Sequence, residues 1–191
     1  FIGGKDGWCQ WRVDQEPNGR TVTGYYLRKM VDENHDVINE SGSQQPLTII
    51  RYAEVLLNYA EACYRLDKPA EANAAIKEIR KRVNLPYDNK AGDELWAAIR
   101  QERKVEMAFE GLWYWDLRRW GIADKKYPEG LSGYQQHGLK IEKIGEDEFK
   151  YTYVSVDDRD RNFLTKMMNR FPIPSSELSS NGDVHQFDEW K

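Results

Sequence analysis

Cysteine is nearly absent from this chain: of its 191 residues only Cys9 and Cys63 carry a thiol. Two cysteines outside any Cys-x-x-Cys pair exclude a disulfide scaffold. A Cys9–Cys63 bridge is the lesser reading, because Cys63 falls on the apolar side of an expected helix, where a thiol behaves as a small hydrophobe. Histidine is just as scarce. His35, His137 and His185 lie far apart in expected loops, without metal-ligand spacing or a His-Glu-x-x-His string. The Gly-x-Gly-x-x-Gly, Walker and Gly-x-Ser-x-Gly strings are missing, so nothing supports a nucleotide enzyme or a serine hydrolase. No apolar run approaches the roughly 20 residues that span a bilayer. Excess positive charge is lacking too: 28 Lys and Arg stand against 32 Asp and Glu, a net charge of −4. That removes any global attraction to nucleic acid or anionic lipid.

What the chain does have is aromatics, with seven Trp, eleven Tyr and six Phe, in a composition 40% hydrophobic and 31% charged. This suits one compact globular domain with a real core. The sequence opens on Phe1 rather than Met and reads as a piece of something longer or a processed product.

Three textures follow one another. Residues 1–46 are rich in Gly, Asn, Asp and Pro, with one stretch, TVTGYYLRKMV (21–31), whose β-branched and aromatic residues predict an extended segment. Residues 47–123 carry helical periodicity. In LTIIRYAEVLLNYAEACYRLD, Ile49, Ala53, Leu56, Leu57, Ala60, Cys63 and Tyr64 fall on one face. In KPAEANAAIKEIRKRVNLP, Pro69 opens a second helix whose apolar face is Ala70, Ala74, Ile76, Ile79 and Val83. The short Leu-Asp-Lys-Pro connector forces an antiparallel αα-hairpin, similar to one tetratricopeptide pair. A third helix is expected from an N-cap near Asp93 through ELWAAIRQERKVEMAFEGLWYWDLRRW (94–120), continuous or broken at Gly111. Residues 124–191 hold loops, a β-hairpin turning at Gly-Glu-Asp-Glu (145–148), and a brief helical turn after Phe-Pro-Ile-Pro.

The densest aromatic string is EGLWYWDLRRW (110–120). Continued at 100° per residue, the third helix puts Leu95, Ile99, Phe109, Trp113, Leu117 and Trp120 on one stripe and turns Trp115 the other way. The core reading is favoured for the stripe, and Trp115 alone reads as an exposed platform. Glu102 and Glu106 share that stripe and need cationic partners, for which Arg51, Arg100, Arg103 and Arg118 are candidates. As a glycoside hydrolase pair they fail the geometry, since neighbours on one helix face do not flank a scissile bond. The basic run KEIRKR, with Glu78 four residues before Arg82, reads as a solvated, ion-paired face. In DDRDRN (157–162) the opening Asp-x-Asp-x-Asn of a calcium loop lacks the glycine at its sixth position, where Phe163 stands, and the closing Glu, where Asn169 stands. An irregular calcium site is the sharper reading and a solvated acidic turn the favoured one; no other cofactor or metal is indicated.

The stretch GGKDGWCQWRV puts Trp8 and Trp11 in a Gly-rich segment with no amphipathic period to bury them. Flat rings in loops stack on the apolar face of a sugar, and Gln10, Arg12, Asp14 and Gln15 supply hydrogen-bonding partners. The competing reading, of equal weight, is that the two rings plug the domain's edge. Tyr134 and His137, in SGYQQHG, are the second pair of candidate ligand contacts.

The order of GYYLRKMV (24–31), IIRYAEVLLNYAEACYRL (49–66), AIKEIRKRVNLP (75–86), IRQERKVEMAFEGLWYWDLRRWGIA (99–123) and FPIPSSEL (171–178) resembles the C-terminal half of the SusD/RagB family. The resemblance implies a mainly α, SusD-like fold: tetratricopeptide-like helical pairs, irregular loops and a small β-hairpin, with much of the fold contributed by an N-terminal half. It implies no catalysis. It implies capture of glycans, or of other nutrients, at the outer membrane surface of Bacteroidetes-type bacteria. A SusC-like TonB-dependent transporter is the implied partner, and an acylated cysteine in the N-terminal part is the implied membrane anchor. Ligand contacts in the family lie mostly in loops, which directs attention to Trp8, Trp11, Tyr134 and His137. The rival expectation is a helical-repeat scaffold that binds only protein.

Overall fold

The structure is a computed structural model that describes residues 23–25, 27–35, 42–146, 148–156, 159, 161–164 and 168–191. Trp8, Trp11 and Cys9 lie outside the described residues, as do Asp157, Asp158 and Asp160 of the calcium-loop string. Among the described residues there are five α-helices, a two-stranded antiparallel sheet and one 3₁₀ turn, so the chain is mainly α with a small hairpin, as expected. The chain divides into two compact units, residues 28–116 and residues 1–27 with 117–191.

The helical unit is built on α1 (Tyr52–Arg65), α2 (Pro69–Lys81) and α3 (Gly92–Glu106). Asp67, in the left-handed conformation, and a bond from Lys68 N to Cys63 O at 2.8 Å reverse the chain between α1 and α2. Ala60, Cys63, Ala72, Ala75, Ile76, Leu95 and Ile99 form one core cluster. The small residues let the helix backbones approach closely, and Cys63 is a buried free thiol, as expected. Two details of the expected faces change. The first helix starts at Tyr52, not at Leu47, which leaves Ile49 exposed. On α2 the buried positions are Ala72, Asn73, Ala75, Ile76 and Ile79, while Ala70, Ala74 and Val83 are exposed. The face is rotated because Asn73 is drawn inward. Its amide donates to Pro69 O and Lys90 O, and its carbonyl accepts from Lys90 N and the Tyr87 hydroxyl, all at 2.7 to 2.9 Å. A buried amide satisfied on both ends fastens the 87–90 loop to α2.

The third helix ends at Glu106, before Gly111, and the chain turns until α4 (Trp113–Arg119). Phe109 and Gly111 both take positive φ, 66° and 77°. The straight stripe therefore does not exist beyond Met107. Phe109, expected in the core, is 79% exposed. Leu95, Ile99 and Leu117 are fully buried, whereas Trp113 and Trp120 are half-buried. Lys104 lies 5.2 Å over the Trp113 ring and Arg119 lies 4.8 Å over Trp120. Trp115 is exposed, as expected, although on a separate short helix.

Charge explains the early turn. Arg103 is buried and donates from Nε to Asp116 Oδ2 at 2.5 Å and from Nη1 to Asn58 Oδ1 at 2.7 Å. The two ionised side chains are 5% and 4% exposed. Asp116 can return to α3 only if the chain folds back. Carboxylates along α3 meet cations on every side: Glu102 accepts from Arg80 Nε at 2.7 Å, and Glu106 accepts from Arg51 at 2.6 Å and from Arg82 at 2.9 Å. The expectation of cationic partners holds with Arg51. Arg80 and Arg82, in a run whose sequence reads as a solvated face, are the other two. Arg51 also grips Glu110 with two bonds of 2.8 Å, and Lys29 pairs with Glu110 and donates to Glu106 O and Ala108 O at 2.8 Å. Cations thus satisfy the final carbonyl of α3 and one in the turn just beyond it.

The segment 21–31 is not a strand where it is described. Residues 23 and 24 bend, residues 29 and 30 turn, and Met30 takes φ 60°. It meets the hairpin where Leu139 N donates to Thr23 O at 2.8 Å. Gly24 has φ 76°, and a Cβ there would stand 2.0 Å from Leu139 O, so only glycine fits.

Two outcomes follow for stability. Asp116→Ala leaves the Arg103 charge buried and unpaired, and should lower the urea-unfolding free energy by about 3–5 kcal/mol; Glu33→Gln, which breaks the exposed Arg28 pair, should leave it within about 0.5 kcal/mol. Burial pushes the Glu110 carboxyl up, but hydrogen bonds and charge from Arg51 and Lys29 outweigh it and hold the group below its ordinary value of 4.5. A carboxyl depressed by folding stabilises fully above its unfolded value, and that contribution is lost as pH falls through the folded one. Urea midpoints measured from neutral pH downward should therefore fall less steeply in acid for Glu110→Gln than for the parent.

Candidate functional site

In the second unit the chain after α4 folds into a loop and then the hairpin of β1 (His137–Lys143) and β2 (Phe149–Ser155). The register pairs Leu139 with Tyr153 and Ile141 with Tyr151, and Ile144 N closes the turn on Glu148 O at 3.0 Å. The expected turn at 145–148 is where the chain reverses. Side chains alternate across a strand, so His137, Leu139, Ile141, Phe149, Tyr151 and Tyr153 share one face. Tyr151 and Tyr153 are exposed there.

The loop before β1 is held by its own backbone. Tyr127 N donates to Ser132 O at 2.9 Å, Ser132 N to Lys125 O at 3.1 Å, and Leu131 N to Ala123 O at 3.0 Å. Gly130 is buried in this fold-back, where a Cβ would stand 2.3 Å from both Ile122 O and Lys125 O. Gly133 N donates to Arg161 O at 2.7 Å, and Phe163 N to Ser132 Oγ at 3.2 Å, with Phe163 buried beneath.

This frame places Tyr134 and His137, two of the four sequence candidates. Tyr134 is half-buried, its ring tilted 57° against Tyr127 with centroids 4.9 Å apart. The Arg161 guanidinium lies 5.7 Å over the Tyr134 ring. His137 is exposed and stacks on Tyr153 at 5.4 Å and 17°, while its Nδ1 stands 2.9 Å from Gln135 O. Two aromatic pairs therefore rise within four residues of each other along the chain. Ring faces of this kind stack on apolar surfaces, and the hydroxyls, imidazole and guanidinium bond polar groups around them. Sequence reasoning missed Tyr127, Tyr153 and Arg161 as partners. Tyr153 was legible as a strand residue, and the hairpin register is the signal that would have linked it to His137.

The carboxylates Glu102 and Glu106 sit in the other unit, each bound by arginine, on one face of one helix. They form an ion-paired seam that holds helices together. No group of three His, Cys, Asp or Glu side chains fit to hold a metal occurs among the described residues.

If the loop presents the two tyrosines, Gly130→Ala should disrupt it, costing a few kcal/mol. Hydrogen exchange should then accelerate at Tyr127, Leu131 and Ser132 while the amides of α1 to α3 keep their protection.

Known proteins give an independent view. The SusD family profile matches residues 3–190. SusD-like protein P38 of Formosa agariphila is 34% identical over 100 residues, which are 47% of this chain and 20% of that protein. SusD-like protein P2 of the same organism is 36% identical over 93 residues, 43% of this chain and 18% of the relative. The crystal structure of a SusD-like protein from Bacteroides fragilis superposes with a TM-score of 0.71 at 28% identity, covering 90% of this chain and 31% of that one. The chain thus spans about a third of the solved relative's length. With a family match over nearly its whole length, and with the helical pair, the α3–α4 turn and the hairpin in place, this chain belongs to the SusD family.

Proposed function

We propose that this chain is part of a non-catalytic, cell-surface protein that gathers oligo- or polysaccharide for import. The reading is that a SusC-like TonB-dependent transporter receives the glycan, and that the protein is held at the outer membrane by a lipid anchor on its N-terminal part. Membership in the SusD family supports the role. The observation that carries the site is the pairing of Tyr134 with Tyr127 and of His137 with Tyr153 on a backbone frame built to hold them. Trp8 and Trp11 complete the proposed contact set. Such rings need no ionised nucleophile or metal: they bind by covering the apolar faces of sugar rings while their edges bond hydroxyls. Bound by arginines, Glu102 and Glu106 act as structural anions here.

Affinity electrophoresis of the full-length protein against a panel of neutral and acidic polysaccharides tests this. At least one polysaccharide should retard it, and no reducing ends should accumulate with time. Tyr134→Ala and His137→Ala should each weaken that retardation about two- to tenfold, the worth of about 0.5–1.5 kcal/mol of aromatic stacking. Trp8→Ala and Trp11→Ala should weaken it as much or more with little change in thermal midpoint; a collapse of the midpoint would make those rings part of the core. Absence of retardation across the panel would refute the glycan reading and favour a protein-only scaffold.

A further inference from the structure

The basic run KEIRKR (77–82) divides on folding. Arg80 and Arg82 turn to carboxylates of α3, whereas Lys77 and Lys81 stay exposed and make no ion pair among the described residues. Like charges four positions apart on one helix repel each other, so packing does not account for the two lysines. The ammonium of Lys90, in the loop before α3, is likewise in no ion pair among the described residues.

The three ammonium groups share a wall. Two hollows adjoin Pro86 and Tyr87. One, of about 400 Å³, is bordered by Lys77, Lys81, Asn84 and Leu85, and the other, of about 300 Å³, by Arg80, Lys90, Ala98 and Gln101. Both are at the small end of the range for ligand pockets. The wall is fixed in place. The Tyr87 hydroxyl donates to the buried Asn73 at 2.9 Å, Arg80 Nη1 donates to Pro86 O at 3.1 Å, and the Arg80 guanidinium lies 5.5 Å over the Tyr87 ring. The turn leading into it is closed by Leu85 N, which donates to Arg80 O at 3.1 Å. Among the described residues, Asp88 is the one carboxylate bordering either hollow. In a chain of net charge −4 this is a local cationic cleft, and such clefts draw anions.

The walls say what fits. Lysines bind carboxylates and sulfate esters as point charges. A tyrosine ring and a proline offer flat apolar surface, and the amides of Asn84 and Gln101 bond hydroxyls. Cations spaced over both hollows, rather than converging on one point as a single phosphate requires, suit an anion repeated along a chain. We propose that the Pro86–Tyr87 wall, with Lys77, Lys81 and Lys90, is a second carbohydrate site that binds acidic oligosaccharide carrying uronate carboxylates or sulfate esters. It is built on the helical unit from residues other than Tyr134 and His137. The site rests on the glycan reading for its choice of ligand and adds to that reading a preference for charge.

Lysine footprinting of the full-length protein by amine acetylation, read residue by residue, tests this. The probes are oligogalacturonate, a sulfated cello-oligosaccharide and the neutral methyl ester of the oligogalacturonate. At least one anionic probe should slow acetylation of Lys77, Lys81 and Lys90 together, by about threefold or more as the probe saturates, and the two arms tell carboxylate from sulfate. The neutral ester should slow none of them, and Lys68, exposed ahead of α2, should keep its rate. Lys77→Gln combined with Lys81→Gln should weaken calorimetric binding of the effective probe about tenfold with the thermal midpoint held, since both side chains are exposed. Unchanged rates at all three lysines with both anionic probes would overturn the proposal. Equal slowing of Lys68 would overturn it too, as the mark of a polyanion coating any surface lysine. The loop reading fails separately: Tyr134→Ala and His137→Ala would then leave the electrophoretic retardation intact while the three lysines stayed protected.

Discussion

Arg103 carries a guanidinium into the interior of the helical unit, where an isolated charge would be untenable. Asp116 and the Asn58 carbonyl make the position tolerable. Desolvating two ions is expensive, and their attraction offsets the cost only when geometry is good and the remaining hydrogens are bonded. This pair therefore dictates a path. Asp116 must come back to α3, so α3 cannot run on through Gly111, and the turn at 107–111 takes two residues with positive φ. One of them, Phe109, is not a glycine, and the left-handed conformation costs it about 1–2 kcal/mol. The exposure of Phe109 and the half-burial of Trp113 and Trp120 follow from that turn.

The same logic extends along α3. Its carboxylates face α2 and the start of α1, and the arginines there are placed to meet them: Arg51 at the N-cap of α1, Arg80 and Arg82 at the end of α2. Apolar packing of alanines and isoleucines tells helices to associate but leaves their rotation loosely defined. Directed guanidinium–carboxylate bonds fix rotation and register. Asn73 does similar work for the 87–90 loop, with four bonds that no apolar residue could make.

The second unit relies on backbone closure instead. Its aromatic pairs stand on a loop whose carbonyls and amides bond each other and on a hairpin whose turn is self-bonded. Gly130 and Gly24 sit where two backbones come too close for any side chain. On the proposed reading, rings held on such a frame would lose little freedom when a ligand arrives, which is how a small aromatic surface gains useful affinity.

Period alone determined the existence of α1, α2 and α3, the antiparallel hairpin between the first two, the β-hairpin and its turn, and the short helix after Pro174. Repeating apolar residues and turn residues act locally, so they are legible one segment at a time. The strings RYAEVLLNYAEA and ERKVEMAFEGLWYWDL also carried the family, and through it the direction of the functional reading. Tertiary structure alone decided the rest. Asn73 turned α2's buried face, because its partners come from residues 87 and 90 and the fold of the Pro69 turn. Arg80 and Arg82, which read as a solvated run, found carboxylates more than twenty positions away. The stripe through Phe109 failed because a buried ion pair thirteen residues apart outweighed the helical continuation. Tyr127, Tyr153 and Arg161 joined Tyr134 and His137 only once strand register and loop closure had set distances. Each of these depends on which side chain from elsewhere in the chain arrives to satisfy a buried polar group or a ring face, and pairwise chemistry at long separation leaves no periodic trace in a sequence.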